Sequence, residues 1–349
     1  MTETLDKEGR NLKVSESGVA AGEPAAPAFQ PGDNGVAIIR GLENKASLPG
    51  EFKAAGTDLT IQMDGALERD SGNEARRQQV QTICRQMDEL SLSDGRQQAM
   101  VVTSDSWNST SGTMWLCERK DGHWLPTEKH WAVDLGRNGM AWGDGLLKKD
   151  DEAEPGNNGV AQKDDGALPN DNGPVRKHEG DGRAPAGVFE IGDAFGYNPS
   201  SPDGTKLPYR QATDNDFFVD DEKSPYYNTW QKGPAVNPDA GPSANGSPVP
   251  GWTSAETMHL KDNRYELGIV VKHNMDPPVP GDGSAIFLHE WRKYGETTSG
   301  CTSMAPENMG KLMRWLDPAK KPLLVQLPAE PGAMEQFGKM QIDSERESS

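Results

Sequence analysis

A histidine and a cysteine lie twelve residues apart at the end of a strongly apolar stretch. His289 follows Ala-Ile-Phe-Leu, a run typical of a buried strand, and Cys301 follows a Ser-Gly pair. In cysteine chemistry the thiolate is the nucleophile, and a neighbouring imidazole lowers the thiol pKa and carries the proton. Gly300 permits a sharp turn, so that main-chain N–H groups around Cys301 can point at a developing oxyanion. The pattern therefore predicts a thiol–imidazole site.

Both residues also have a structural explanation. A cysteine near a helix start is often a buried small apolar residue, and a histidine at a strand end is often a core residue with satisfied hydrogen bonds. On spacing alone, the structural explanation is favoured over catalysis.

The stretches around this pair alternate short strand-like runs with turns, which predicts a β-rich α+β domain. The runs contain β-branched or aromatic residues, and Gly, Asn, Asp and Pro lie between them. They are Met100–Thr103, Thr113–Arg119, Trp131–Leu135, Gly187–Ile191, Phe217–Val219, Leu267–His273, Ser284–His289 and Pro322–Leu327.

Two helices are predicted beside these strands. The first is an amphipathic helix over 71–98, where the apolar residues from Val80 to Leu90 recur at three- and four-residue steps. The second covers Pro306–Leu316, because proline suits the first helical position and Asp317-Pro318 stops the helix. Each helix should pack on the domain through one apolar stripe.

The composition excludes several classes of protein. The 349 residues include 36 basic and 54 acidic side chains, a net charge of −18, so nucleic acid is a poor partner. No window approaches the ~18 apolar residues that a membrane-spanning helix needs. Three cysteines are too few for a disulfide scaffold and lack zinc-ligand spacing. His273 and His289 lack a third metal ligand at a plausible spacing, and no cofactor is predicted.

Three segments are predicted to differ from the β-rich domain at 99–328. Residues 1–70 mix Gly, Pro, Ala and charge without sustained periodicity, which predicts a flexible N-terminal region. Residues 148–182 are an insertion of Asp, Asn, Gly and Lys that we interpret as a solvated acidic loop. A polar C-terminal tail is predicted over 329–349.

Several motifs along residues 99–328 resemble those of the L,D-transpeptidase (YkuD-like) catalytic domain family, the peptidoglycan cross-linking cysteine enzymes. Ser-Gly-Cys at 299–301, behind a strand that ends in His289, resembles the family signature. The stretch Gly180-Asp-Gly-Arg-Ala-Pro-Ala-Gly-Val-Phe189 resembles the family's Gly-Asp-Gly-Arg-Thr-Pro-x-Gly-x-Phe element. Further stretches that resemble a large-domain branch are Trp107–Gly112, Gly136–Gly139, Ala194–Tyr197, Leu207–Tyr209, Val219–Asp221, Tyr227-Asn228, Gly268–Asn274 and Arg314–Pro318.

The resemblance implies a β-sandwich of mixed sheets with a few peripheral helices, and it implies roles for the signature residues. Cys301 is then the nucleophile and His289 its base. Gly300 and Cys301 supply the oxyanion hole, and Ser299 is a candidate neighbour of the imidazole. Attack on the bond between the L-centre of a diamino acid and the terminal D-residue of a peptidoglycan stem releases that D-residue and leaves a thioester. The amine of a second stem then gives a cross-link, whereas water gives an L,D-carboxypeptidase.

Five residues are candidates for binding the stem peptide. Arg183 fits a substrate carboxylate or a structural salt bridge equally well, and His273 fits a cleft or a core position. Ser303 stands where members of the family often carry Arg or Asn, so the anchoring of the carboxylate falls to another residue. Tyr227 and Trp291 are candidates for a stacking wall, although aromatic residues also build cores.

Glu290 directly follows the base that the resemblance implies, where a small or apolar residue is commoner. Its carboxylate either raises the imidazolium population of His289 or faces solvent. We favour solvent.

Cys84 and Cys117 are the remaining cysteines. In an oxidising compartment they are candidates for a disulfide between the N-terminal helix and the sheet, with Cys301 left free. Two unpaired buried thiols are the alternative, and the sequence does not choose between them.

The expected place of action is the periplasm or the extracellular space. No secretory signal is visible, because the apolar run Val36–Ile39 is shorter than an h-region of ~7–15 residues. A wall-targeting effector delivered by a specialised secretion system would have the same site, with a secretion adaptor or an immunity protein as partner. A catalytically silent peptidoglycan-binding module and a general cysteine peptidase are the other functions left open.

Overall fold

The computed structural model describes residues 2–5, 11–14, 60–90, 92, 95–148, 176–233 and 251–342. The chain divides into two compact units, Met1–Glu68 and Arg69–Ser349. In the first unit, the strands β1 (Thr2–Leu5) and β2 (Asn11–Val14) pair antiparallel. Apart from these strands and a helix that starts at Thr60, the predicted flexible region 1–70 lies outside the described residues.

The second unit holds the predicted β-rich domain. Its strands, β3 to β17 in chain order, are Gln98–Ser104, Ser111–Lys120, His123–Asp134, Met140–Trp142, Leu147–Lys148, Ala184–Gly196, Tyr209–Gln211, Asp216–Val219, Trp230–Lys232, Ala255–Thr257, Leu267–Val271, Phe287–Glu290, Thr302–Met304, Leu323–Pro328 and Gln341–Ile342. The α-helices of the described part of the chain are α1 (Thr60–Glu89), α2 (Pro306–Trp315) and α3 (Pro331–Gly338).

Eight strands hydrogen-bond side by side and close into a barrel. Their order is β13-β14-β15-β5-β4-β3-β16-β8, and β8 pairs again with β13. The pairs β14–β15 and β16–β3 are parallel, and the other six are antiparallel. Closure leaves these strands without open edges. The β-rich α+β class is confirmed, but the predicted β-sandwich is not, because the strands form one closed sheet rather than two stacked ones.

Helices and turns cover the barrel and bury both faces of its central strands. All residues of β3 and β16 are buried, which explains their nearly continuous apolar sequence. Helix α2 begins at Pro306 as predicted and buries Met309, Leu312 and Met313 against the barrel.

The N-terminal helix is displaced from its predicted position at 71–98. Helix α1 runs over Thr60–Glu89 and buries Val80, Ile83 and Met87. The predicted C-terminal bound is wrong, because the helix ends at Glu89 and Gln98 is already the first residue of β3.

The predicted polar tail contains regular structure. Helix α3 buries Ala333 and Phe337, and β17 pairs antiparallel with β7 through Ile342 and Leu147. Ala333, Phe337 and Met340 recur at helical spacing, a signal that the predominantly polar composition of 329–349 obscured. Residues 343–349 lie outside the described residues.

The predicted acidic insertion 148–182 is described only at its ends. Residues 149–175 lie outside the described residues, whereas 176–182 lead into β8. A three-stranded sheet of order β11-β10-β12 follows later in the chain. These two parts of the chain supply acidic residues to the site described below.

None of the helices that the structure describes is both long and apolar enough to span a membrane.

Candidate active site

Cys301 and His289 line one cavity of about 310 Å³. The cavity is bounded by the end of β14, the loop before β15, the loop before β14 and the turn that precedes β13. Its lining residues are Arg137, Lys177, Glu179, Gly180, Asp220, Glu256, Arg264, Tyr265, Ser284, Ala285, Ile286, His289, Trp291, Glu296, Thr297, Thr298, Ser299, Gly300, Cys301 and Ser303.

Adjacent parallel strands bring the two side chains to the cavity. His289 on β14 pairs with Ser303 on β15, and Cys301 lies two residues before Ser303. Because alternate residues of a strand share a face, Cys301 and Ser303 point to the same side as His289. Among the hydrogen bonds of the described residues, none joins the thiol of Cys301 to the imidazole. The structure therefore places both groups in one cavity without pairing them.

Cys301 is buried in apolar surroundings and is held as a thiol. Its Sγ accepts the N–H of Phe287 at 3.4 Å and donates to the carbonyl of Ala285 at 3.5 Å. Burial, and next the carboxylate of Glu256, raise the pKa of Cys301 to about 12, while the Phe287 N–H acts weakly in the other direction. The expectation that a neighbouring imidazole lowers this pKa is wrong for the free protein, because desolvation outweighs every stabilising contact.

His289 is neutral, and its tautomer is fixed. Its Nδ1 donates to the carbonyl of Glu290 at 2.7 Å, which leaves Nε2 as the nitrogen able to accept a proton. Burial lowers the pKa of His289 to about 4. The ring of Tyr265 stands edge-on to the imidazole, with 5.2 Å between ring centroids, and fixes its plane.

Glu290 was expected to face solvent, but it is buried. Its side chain is only 4% exposed, because all four residues of β14 are buried. Burial, and next the charges of Glu266 and Glu307, raise the pKa of Glu290 to about 8, so the carboxyl group is protonated at neutral pH. Glu290 therefore orients the imidazole through its carbonyl and adds no charge beside it.

The turn before Cys301 is rigid. Gly300 has φ +147°, and a Cβ there would lie 2.9 Å from the carbonyl oxygen of Arg183. The N–H of Gly300 donates to Oγ1 of Thr298, whose hydroxyl donates to the carbonyl of Cys301. Ser299 accepts from Arg137 at 3.1 Å, so the described bonds of Ser299 do not include the imidazole, for which it was the candidate neighbour.

A family model described as the L,D-transpeptidase catalytic domain matches residues 127–325, more than half of the chain. The chain belongs to the L,D-transpeptidase catalytic domain (YkuD) family. Membership supports an L,D-transpeptidase-type activity on peptidoglycan. No curated protein and no solved structure matches the chain.

Two of the predicted substrate-binding residues do not line the cavity. Arg183 donates to the carbonyl of Met140 at 3.0 Å and to Asn108, an arrangement that fits its structural alternative. His273 is 1% exposed, and its Nε2 donates to the carbonyl of Asp282 at 3.1 Å. Burial lowers the pKa of His273 to about 3, as in an ordinary core histidine.

The other three candidates lie in or beside the cavity. Trp291 and Ser303 line it, and Oγ of Ser303 has no hydrogen-bond partner within the described part of the chain. Tyr227 is buried behind the cavity wall and donates to Oε2 of Glu179 at 2.5 Å. Tyr227 thus holds the carboxylate of Glu179, which lines the cavity, and its buried ring offers no surface on which a ligand could stack.

Sequence reasoning missed the charged residues of the cavity wall. Arg137 belongs to the stretch Gly136–Gly139, which resembles the family but for which no role was predicted. Glu179 lies in the segment that we interpreted as a solvated loop. Asp220 and Glu256 meet only through the pairing of β10 with β12, a long-range contact without a local signal.

Cys84 on α1 and Cys117 on β4 face each other in the core. Their sulfur atoms are 3.6 Å apart, and both residues are free thiols in this structure. Burial raises the pKa of Cys117 well above its ordinary value. The two sulfur atoms are close enough for oxidation to join them, and the Cys84–Cys117 disulfide stays a prediction.

The described residues contain no group of three or more His, Cys, Asp or Glu side chains able to hold a metal ion.

Proposed function

We propose that this L,D-transpeptidase family member performs cysteine acyl transfer on peptidoglycan stem peptides. Cys301 attacks the bond before the terminal D-amino acid, that residue leaves, and the acyl group passes from the thioester to an amine. The observation that carries the proposal is the shared cavity, which holds a buried thiol just before β15 and, on the neighbouring strand β14, an imidazole whose Nδ1 is held by a carbonyl.

The protonation states define how acylation proceeds. With thiol and imidazole both neutral, Nε2 of His289 takes the proton of Cys301 as the sulfur attacks the carbonyl carbon. The main-chain N–H of Cys301 then stabilises the oxyanion. The N–H of Gly300 contributes as well once its hydrogen bond to Oγ1 of Thr298 is broken. The imidazolium gives its proton to the leaving amine, which completes the thioester.

The acceptor of the acyl group separates two activities. An amine from a second stem makes a cross-link, and water makes an L,D-carboxypeptidase. The acidic wall described below favours the amine. We further propose that the protein acts outside the cytoplasmic membrane, as a periplasmic or extracellular enzyme or as a wall-targeting effector with an adaptor or immunity partner.

Incubation with purified tetrapeptide muropeptides tests the proposal. We expect release of the terminal D-alanine and new cross-linked dimers by mass spectrometry, with both products lost in Cys301→Ala. Cys84→Ala is the matched control, because it removes a buried thiol outside the cavity and should retain activity.

Equal activity of Cys301→Ala and the unchanged protein would refute the proposal. Absence of products from the unchanged protein would favour a silent binding module. Equally fast turnover of an all-L peptide would favour a general cysteine peptidase.

A further inference from the structure

Four acidic side chains line the cavity that contains Cys301. Glu296 is ion-paired with Arg292, and the other three belong to Glu179, Asp220 and Glu256. Phe218 pairs with Glu256 across β10 and β12, which brings Asp220 close to Glu256. After burial, the negative charges of Asp220 and Glu179 contribute to the raised pKa of Glu256, so the three groups lie within electrostatic range of one another.

The cations of the cavity are engaged with other partners. Lys177 forms a buried ion pair with Asp181 at 2.8 Å, and Arg264 binds Asp262 at 3.0 Å. Arg137 donates to Oγ of Ser299 at 3.1 Å and to the carbonyl of Gly180 at 3.3 Å. Within the described residues, no lysine or arginine forms a salt bridge with Glu179, Asp220 or Glu256. This wall therefore keeps an excess of negative charge that a cationic ligand can neutralise.

An unpartnered polar group points independently to a ligand. Oγ of Ser303 lines the same cavity, its residue is 1% exposed, and it has no hydrogen-bond partner in the described ranges. Oδ1 of Asp220 also lacks a partner there. Buried polar atoms of this kind normally have a partner, which a bound ligand would supply.

We propose that Glu256, Asp220 and Glu179 form a subsite for the ammonium group of the acyl acceptor, the side-chain amine of a diamino acid in a second stem peptide. This assignment rests on the proposed function. An ammonium group has three donors and matches several separated acceptors. A metal ion would need a tight group of three ligands, which the described residues do not contain.

Glu256 is the group best placed to prepare the amine for attack. Its Oε1 is held by the hydroxyl of Tyr265 at 2.7 Å, and burial raises the pKa of its carboxyl group. The ammonium gives one proton to this carboxylate, and the amine nitrogen then bonds to the thioester carbon. As the carbon–sulfur bond breaks, the second proton leaves nitrogen for His289 and passes to the sulfur of Cys301. The products are an amide, a thiol and a protonated carboxyl group.

The subsite also affects the nucleophile. After burial, the charge of Glu256 is the largest cause of the raised pKa of Cys301. An ammonium bound beside Glu256 neutralises that charge and so makes the thiolate easier to form and to expel as a leaving group.

The test is the partition of the acyl-enzyme between amine and water in Glu256→Gln. The glutamine keeps an oxygen for the hydroxyl of Tyr265 but loses the charge. With tetrapeptide muropeptides, we expect the ratio of cross-linked dimer to hydrolysed tripeptide to fall about tenfold, while release of D-alanine continues. Asp220→Asn should lower the same ratio, and a thermal melt near that of the unchanged protein shows that each variant is folded.

Glu222→Gln is the matched control, since Glu222 is an exposed acidic residue near Asp220 that does not line the cavity. An unchanged ratio in Glu256→Gln would overturn the subsite. A higher KM for the donor stem with an unchanged ratio of products would also overturn it, because the carboxylates would then bind the ammonium group of the donor stem. If the unchanged protein releases no D-alanine, the proposed function itself fails, and the subsite fails with it.

Discussion

The buried carboxyl group of Glu290 gives the protein a pH-dependent stability that one substitution should remove. Below pH 4.5 the group is protonated in the folded and unfolded states, so it contributes no pH dependence. As the pH rises from 4.5 toward about 8, the unfolded chain loses this proton while the folded protein keeps it. The folded state then binds more protons, and its stability falls.

The size of the effect follows from the two pKa values. A rise from 4.5 to about 8 corresponds to a loss of at most about 5 kcal/mol of unfolding free energy, complete above pH 8. Glu290→Gln has a similar shape and cannot ionise. We therefore expect the variant to gain stability relative to the unchanged protein between pH 5 and pH 9 by several kcal/mol.

Urea unfolding at pH 5, 7 and 9, followed by tryptophan fluorescence, measures this difference. Glu335→Gln is the control, because Glu335 is exposed and pairs with Lys339 on the surface. A stability difference between Glu290→Gln and the unchanged protein that stays constant over this pH range would refute the reasoning.

Two further predictions concern the turn before the nucleophile and the paired thiols. Gly300→Ala should lower the unfolding free energy by about 1–3 kcal/mol and strongly reduce acylation, because its Cβ meets the carbonyl of Arg183 at 2.9 Å. Gly295→Ala, at φ +81° in open space, should cost less in urea unfolding; equal losses would contradict the argument. Mild thiol oxidation should join Cys84 to Cys117, with a mass loss of two hydrogens and about 3 kcal/mol of added stability. Failure to cross-link these sulfur atoms in the folded protein would contradict the 3.6 Å separation on which this prediction rests.

The parts of this structure that depend on local sequence were predictable. The apolar run that ends in His289, the glycine turn before Cys301 and the proline start of α2 each have a local cause, and each lies where the sequence indicates. The closure of the barrel depends on the pairing of β8 with β13, which are separated by about 70 residues, and no local pattern reports it.

The electrostatics of the site were not predictable for a related reason. Strand alternation suggests that Glu290 faces solvent, but the strand is covered on both sides and the residue is buried. The pKa of Cys301 depends on burial and on Glu256, which reaches the cavity only through the small sheet. The protonation states of Glu290 and Cys301 depend on such long-range contacts, whereas the spacing of residues in the sequence indicates only which residues are local neighbours.

The covalent intermediate on Cys301 tests the central claim most directly. After brief mixing with a tetrapeptide stem, intact-protein mass spectrometry should show an adduct of the stem minus its terminal D-residue. Peptide mapping should place the adduct on Cys301, and His289→Ala should lower its rate of formation. An adduct on Cys84 or Cys117, or product formed without any adduct in rapid-quench samples, would contradict the account.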